Sequence, residues 1–543
     1  MWARLAIVLG YLLVMLGIGT LFRRVSSRDR VEFFLAGRKV GRVLLFFTMA
    51  ATNFSAFTVF GLSGAGYRIG YAFYPIMGFG TGFMALSFLL IGRKILLLSR
   101  QRGYVTPSDF IADRYGAPWL KALFSAVMIL FTLPYIAIQA IAAGNSLGSM
   151  VGLPYLAGAA LITGFIVMYV MLGGLRSVVW TDLVQTLMIL LLTLGGFLLI
   201  AHRSGGFLTV HRQLHGSFPA LFSRPGLDGS MVYGVWLGYL VLWFFADPMF
   251  PQLFQRFLAA RDERALNTTA FLYPLITTFL FLLTVSIGVM GRQSFPGLSA
   301  AESENIYPLL LGRFAGPLLG TLLLTGGLAA LMSTMDSQLL TLSSMLSLDF
   351  LHFRKREVVK EKLVVLVVGA LGFLIAIRPP QTILDFISRT TFNGLSVLAP
   401  AVIGGLYWRR ANRWGAAASI VIGEALVAGS YFGLWRVPGV LPVLPILAAT
   451  AFVFVLVSLL TPSNRENAAI VFPVSSRGWP WLLAFGALFV LGNDFWAWGR
   501  EPVLLAGLPL WVWYYIGLGL LLAAAYRLFV GRRAPGRLSR SGA

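Results

Sequence analysis

The sequence predicts an all-α protein that crosses a lipid bilayer about fifteen times, and three observations carry that reading. Apolar runs of about twenty residues recur from end to end, each long enough to span a hydrocarbon layer of roughly 30 Å. With 58% hydrophobic and 12% charged residues and a mean hydropathy of +0.81, the chain carries more apolar surface than one water-soluble core could bury. The charges gather between the runs rather than inside them.

The runs fall near residues 3–22, 43–64, 71–98, 118–148, 153–172, 177–201, 230–258, 268–291, 315–349, 362–378, 382–408, 414–435, 440–460, 479–496 and 507–530. The first lacks the small-residue cleavage site of a leader and is read as a span. With the N-terminus outside, one set of alternate loops gathers most of the basic residues. It holds Arg23, Arg24, Arg28, Arg30, Arg38, Lys39 and Arg42, then Arg354, Lys355, Arg356, Lys360 and Lys362, then Arg527, Arg532, Arg533, Arg537 and Arg540. That asymmetry follows the positive-inside rule, so these loops and the C-terminus are expected in the cytoplasm and the chain in the cell inner membrane. The net charge of +23 is then accounted for by retention signals and anionic lipid, without nucleic acid as a partner.

Other classes fall away on residue types. There is no cysteine, and His202, His211, His215 and His352 lie in loops without metal-site spacing, which argues against a redox or zinc enzyme. No nucleophile and base are spaced for covalent catalysis in the spans. A polar stretch at 461–478 reads as a cytoplasmic linker between a core over 1–460 and two accessory helices within 479–530, with a basic tail at 531–543. The accessory part carries Trp479, Trp481, Trp496, Trp498, Trp511 and Trp513, whose rings suit a membrane interface. It is expected either to pack on the core or to recruit a small membrane subunit.

Glycine is abundant at 59 residues, and close packing of helices in lipid explains most of it. Two segments ask for more. Thr48-Met-Ala-Ala-Thr-Asn-Phe-Ser-Ala-Phe57 puts Thr52, Asn53 and Ser55 in the middle of the second span, and Trp243-Phe-Phe-Ala-Asp-Pro-Met-Phe-Pro251 puts a carboxylate and two prolines inside the seventh. Proline removes a backbone donor and clashes with the preceding turn, so the seventh span is expected to break near Pro248. Irregular backbone at membrane depth persists only where it is buried in protein or lines a watered cavity. Broken spans five apart are the mark of two inverted five-helix repeats with a binding site near the midplane, here at about 43–201 and 230–408.

Four motifs resemble the sodium:solute symporter family: Phe33-Phe-Leu-Ala-Gly-Arg-Lys39, Gly173-Gly-Leu-Arg-Ser-Val-Val-Trp-Thr-Asp-Leu-Val-Gln185, Gln255-Arg-Phe-Leu-Ala-Ala-Arg261 and Gly327-Leu-Ala-Ala-Leu-Met-Ser-Thr-Met-Asp-Ser-Gln-Leu-Leu340. The resemblance covers nearly all of 1–460. It implies a leucine-transporter-type fold of about thirteen core helices, from which the two C-terminal helices depart, and Na+-coupled uptake of a small organic solute by alternating access. It also implies a Na+ site made by the backbone carbonyls of Ala51, Phe54 and Ala330 and the hydroxyls of Ser333 and Thr334. A hard cation takes about five or six oxygens, and a helix break frees carbonyls to supply some of them. Read alone, Ser333 and Thr334 would bond back to their own helix. Asp182, Asp336 and Ser337 match positions that similar proteins use for a second cation, although Asp182 could equally be a solvated acid near the cytoplasmic surface.

For the solute, the resemblance points to Trp243, with Asp247 four residues on where proline-type carriers have tyrosine. A carboxylate inside a membrane is a functional candidate by default. It would serve as counter-ion to an amine, as a proton carrier, or as partner of Arg389. Arg389 has its own alternatives: Asp385 four residues back, or a substrate carboxylate held by paired hydrogen bonds. Tyr135 and Gln139 share one helix face, facing the cavity or bonding a neighbouring helix. Asn53, Phe57 and Asn393 complete the expected substrate set. An amino acid is favoured, with a monocarboxylate close behind. The alternatives are H+ coupling through Asp247 and a symporter-like solute sensor.

Overall fold

The computed structural model describes residues 2–26, 29–353, 358–378, 391–462, 471–472 and 478–531. In chain order the long helices are α1 (Trp2–Leu21), α2 (Arg42–Asn53), α3 (Phe57–Arg68), α4 (Tyr71–Arg102), α5 (Pro118–Val151), α6 (Tyr155–Arg203), α7 (Tyr233–Met249), α8 (Pro251–Ala259), α9 (Glu263–Ser294) and α10 (Pro317–Phe350). They continue with α11 (Val358–Ala376), α12 (Thr391–Tyr407), α13 (Arg413–Tyr431), α14 (Val443–Leu460), α15 (Trp479–Leu491) and α16 (Leu510–Gly531). Among the described residues the strands amount to one two-residue pair, Leu504–Leu505 with Leu508–Pro509.

Both expected breaks are present. The axes of α2 and α3 differ by 63°, and those of α7 and α8 by 51°. The first break begins where Phe54 leaves helical geometry at φ −84°, ψ 87°. The second falls at Phe250, extended at φ −60°, ψ 125°, between Pro248 and Pro251. That is two residues beyond the expected point, because Pro248 is accommodated in a short 3-10 turn and Pro251 opens the next helix, where a missing N–H costs nothing.

Counting each bent pair as one span gives eleven membrane-long helices among the described residues. The other four of the expected fifteen are the second arm of α6, the more charged α11, the shorter α15, and the span at 382–408, of which 382–390 lie outside the described residues. A straight α6 of 49 residues would reach roughly 74 Å, more than twice the bilayer. It is broken at Gly174, whose φ of +55° and ψ of −157° only glycine adopts readily. The chain doubles back there: Tyr169 before the turn donates to Asp336, and Asp182 after it lies 3.5 Å from Arg256, which itself bonds the neighbouring Ser337.

Glycine sets the tightest approach of one helix backbone to another. A Cβ on Gly288 of α9 would stand 2.0 Å from the Ser63 carbonyl oxygen of α3, and one on Gly66 of α3 would stand 2.5 Å from the Val285 carbonyl oxygen. With no hydrophobic drive between helices in lipid, this backbone approach is what holds the pair. Gly288→Ala is expected to cost about 1–3 kcal/mol by overpacking, read as a lower thermal midpoint of the detergent-purified protein. An unchanged midpoint would contradict that packing.

The two C-terminal helices pack on the core. Tyr526 donates to the Phe83 carbonyl at 2.9 Å, and Gly519 lies directly against Thr278. The tail tryptophans do not all serve the membrane surface: Trp498 and Trp511, with Trp236 of α7, surround the guanidinium of Arg224 at 4.5–5.4 Å. Arg224 also pairs with Asp494, buried with it. The linker from 463 to 470 and from 473 to 477 and the tail from 532 lie outside the described residues.

Candidate functional site

The first break brings α2 against α10. Ser333 Oγ donates to the Ala51 carbonyl at 3.0 Å and to the Ala330 carbonyl at 3.1 Å. Thr334 Oγ1 lies 3.3 Å from the carbonyls of Thr52 and Ala330 and 3.5 Å from that of Ala51. Both hydroxyls thus bond back to their own helix, as Ser and Thr do in helices, and also reach across to the broken one. Ala51, Ala330, Ser333 and Thr334 therefore converge, with Phe54 at the break beside them, and all five are buried. Carbonyls and hydroxyls of this kind suit a hard monovalent cation, which prefers neutral oxygen donors in number over a single charged one.

The same break meets α5 and α7. Tyr135 donates to Ser55 Oγ at 2.9 Å, and Gln139 Oε1 accepts from the Ala56 N–H at 3.1 Å. These two polar side chains hold the irregular backbone in place by bonding between helices. Asn53 Nδ2 donates to the Tyr273 hydroxyl at 2.7 Å and to Asp247 Oδ2 at 3.3 Å, tying the first break to the second.

Around them stands a set of rings. Trp243 lies 4.9 Å from Phe392, 5.6 Å from Tyr239, 6.0 Å from Phe57 and 6.2 Å from Phe73, centre to centre. Tyr135 lies 5.3 Å from Phe250 and 5.9 Å from Phe392. Asn393 follows Phe392 on α12 and is 2% exposed. Asp247 is fully buried, and among the described residues no donor reaches its Oδ1. Every one of these rings is buried. Arg389 and Asp385 lie outside the described residues.

Asp182, Asp336 and Ser337 also come together, and the structure corrects one expectation. Asp182 is fully buried and is not a solvated surface acid. It accepts from Thr48 at 2.5 Å, while Asp336 accepts from Tyr169 at 2.7 Å and from Ser337 at 3.1 Å. The residue that sequence reasoning missed is Arg256, at the centre of this cluster and fully buried. Its presence was signalled by charge balance: two acids within spans need a cation, and Arg256 is the sole charge on the apolar half-helix α8. Tyr273, Phe73 and Phe392 were missed as well, because nothing local distinguishes them from other core aromatics.

Two bent spans five apart, joined at their breaks by polar side chains and facing a hydroxyl-bearing helix, define a secondary transporter rather than a channel or an enzyme. The sodium:solute symporter family model matches residues 33–423, and the chain belongs to that family. It is thus a multi-pass membrane protein of the Na+-coupled solute symporters. Curated relatives include the sodium/pantothenate symporter of Escherichia coli, 28% identical over 78% of this chain and 89% of its own length. The osmoregulated proline transporter OpuE of Bacillus subtilis is also 28% identical, over 86% of this chain and 96% of its own length.

Among solved structures, a substrate-bound outward-open state of a Na+-coupled sialic acid symporter superposes with a TM-score of 0.68 at 20% identity, over 85% of this chain and 98% of its own. Mhp1, a nucleobase-cation-symport-1 family transporter in a closed conformation, gives 0.55 at 13% identity, over 81% of this chain and 98% of its own. At these identities the structures establish the shared fold, the leucine-transporter type.

Proposed function

We propose that this chain takes up a small organic solute bearing an ammonium group, an amino acid first of all, together with Na+ by alternating access. Na+ sits among the carbonyls of Ala51, Phe54 and Ala330 and the hydroxyls of Ser333 and Thr334. The solute docks between the two breaks, against Trp243, Phe57, Tyr135 and Asn393, with Asn53 and Gln139 holding the backbone around it. The observation that carries the solute class is Asp247. It is buried at membrane depth, hydrogen-bonded on one oxygen by Asn53, and without a donor to the other among the described residues. A carboxylate so placed gains most from a cation that arrives with the substrate, and the rings beside it favour the same charge.

Na+ orders the first break and so favours the closed arrangement that the solute also needs; the two ligands then raise each other's affinity by the same factor. The proline-transporting relative supports an amino acid, and a monocarboxylate is the runner-up. The N-terminus is placed outside and the C-terminus in the cytoplasm, from the distribution of Arg and Lys among the loops.

The test is ligand-induced stabilisation of the purified carrier in Na+ and in K+. A solute present at 100 times its Kd should stabilise by about 2.7 kcal/mol. Zwitterionic amino acids are expected to raise the thermal midpoint in Na+ and not in K+. Stabilisation by lactate or acetate alone, with amines inert, would overturn the ammonium assignment.

A further inference from the structure

The cluster beside the Na+ position already contains a cation. Arg256 donates from Nη2 to Ser337 Oγ at 2.5 Å and to Thr52 Oγ1 at 3.1 Å, and from Nε to Thr48 Oγ1 at 3.1 Å. Nη2 stands 3.5 Å from Asp182 Oδ2, and both side chains are fully buried. Two of those oxygens, on Asp182 and Ser337, belong to the residues a second metal cation would use here. We infer that Arg256 is the resident second cation of this carrier, so that it binds and couples a single Na+.

Charge sets the limit. Asp182 and Asp336 bring two carboxyl groups into the membrane interior, where an ionised one is costly unless it is matched. Arg256, 3.5 Å from Asp182, already supplies a matching cation. The Na+ position at Ser333 and Thr334 lies a single helical turn from Ser337 on α10. A further Na+ at Asp182 would lie beside the guanidinium, with like charges close together in a low dielectric.

The geometry also explains how the fixed cation takes part in coupling. Thr52 belongs to both sites: its carbonyl accepts from Thr334, while its hydroxyl bonds Ser337 at 2.8 Å and accepts from Arg256. Arg256 rides on α8, the half-helix that follows the second break, and Gln255 beside it accepts from Thr341 of α10. The Na+ position and the second broken helix are therefore joined through one threonine. An arginine bound in this way cannot leave with the solute, and its charge returns with the empty carrier.

This inference rests on the reading that Ser333 and Thr334 hold Na+, and its test separates the two. Equilibrium binding of radiolabelled Na+ to the purified full-length carrier is compared for the wild type, Arg256→Gln, and Arg256→Gln with Asp182→Asn. One Na+ per chain is expected for the wild type, two for Arg256→Gln, and one again for the double variant. Two Na+ on the wild type, or a folded Arg256→Gln that gains none over it, would overturn the inference. Should Arg256→Gln not fold, the wild-type count alone still decides it. Failure of the underlying reading looks different: Ser333→Ala with Thr334→Ala would leave Na+ binding intact, whatever Arg256→Gln gains.

Discussion

Replacing Ser333 and Thr334 together with alanine is expected to raise the Na+ concentration for half-maximal uptake by roughly 100-fold or more. Each hydroxyl lost from a charged ligand is worth about 1.5–3 kcal/mol, so two cost at least about 3 kcal/mol. The structure gives both residues the same task. Ser333 and Thr334 each reach the Ala51 carbonyl across the helix interface as well as the Ala330 carbonyl of their own helix. A purely local role would predict single and double variants with near-native Na+ dependence. Membership of the family sharpens the expectation: the solute affinity measured without Na+ should change little, and the stimulation by Na+ should disappear.

The second large effect is expected at Asp247. Asp247→Asn keeps the shape and the contact with Asn53 and removes only the charge. Truncating one partner of a buried charge pair costs about 2–5 kcal/mol, so uptake of an ammonium-bearing solute should fall by roughly 30- to 5,000-fold in kcat/KM. Uptake of a solute without an amine should be spared, because it never used the charge. If the variant transports amino acids as the wild type does, Asp247 is structural. If instead all uptake becomes independent of a proton gradient that drove it before, the carboxylate carries H+.

Much of this was legible in the chain because the relevant signals are local. Proline at 248 and 251 and the run Thr52-Asn53-Phe54-Ser55 mark helices that cannot stay regular, and each is bent by more than 50°. The Ser333-Thr334 pair and its partners Ala51 and Ala330 were legible only through the family resemblance, since read alone the two hydroxyls would bond back to their own helix. What the sequence could not place were groups that act across long separations. Arg256 meets Thr48 and Asp182 from opposite ends of the first repeat and the start of the second, and which way each helix is rotated is set by packing, not by periodicity in a uniformly apolar span. The aromatic surround failed for a similar reason. With 43 phenylalanines and 18 tyrosines in the chain, Phe392 and Tyr273 carry no local mark. Tail docking is a third case, since Arg224 and Asp494 lie 270 positions apart and look like ordinary loop charges until the fold buries them together.

The central claim is that a Na+ gradient drives solute accumulation through the two joined breaks. The direct measurement is uptake of radiolabelled amino acids into proteoliposomes containing the purified chain, with Na+ imposed outside, with equal Na+ on both sides, and with K+ in its place. The account predicts transient accumulation above equilibrium only with the inward Na+ gradient, lost in the Ser333→Ala, Thr334→Ala double variant. Accumulation that is equal in K+ and persists in the double variant would contradict it.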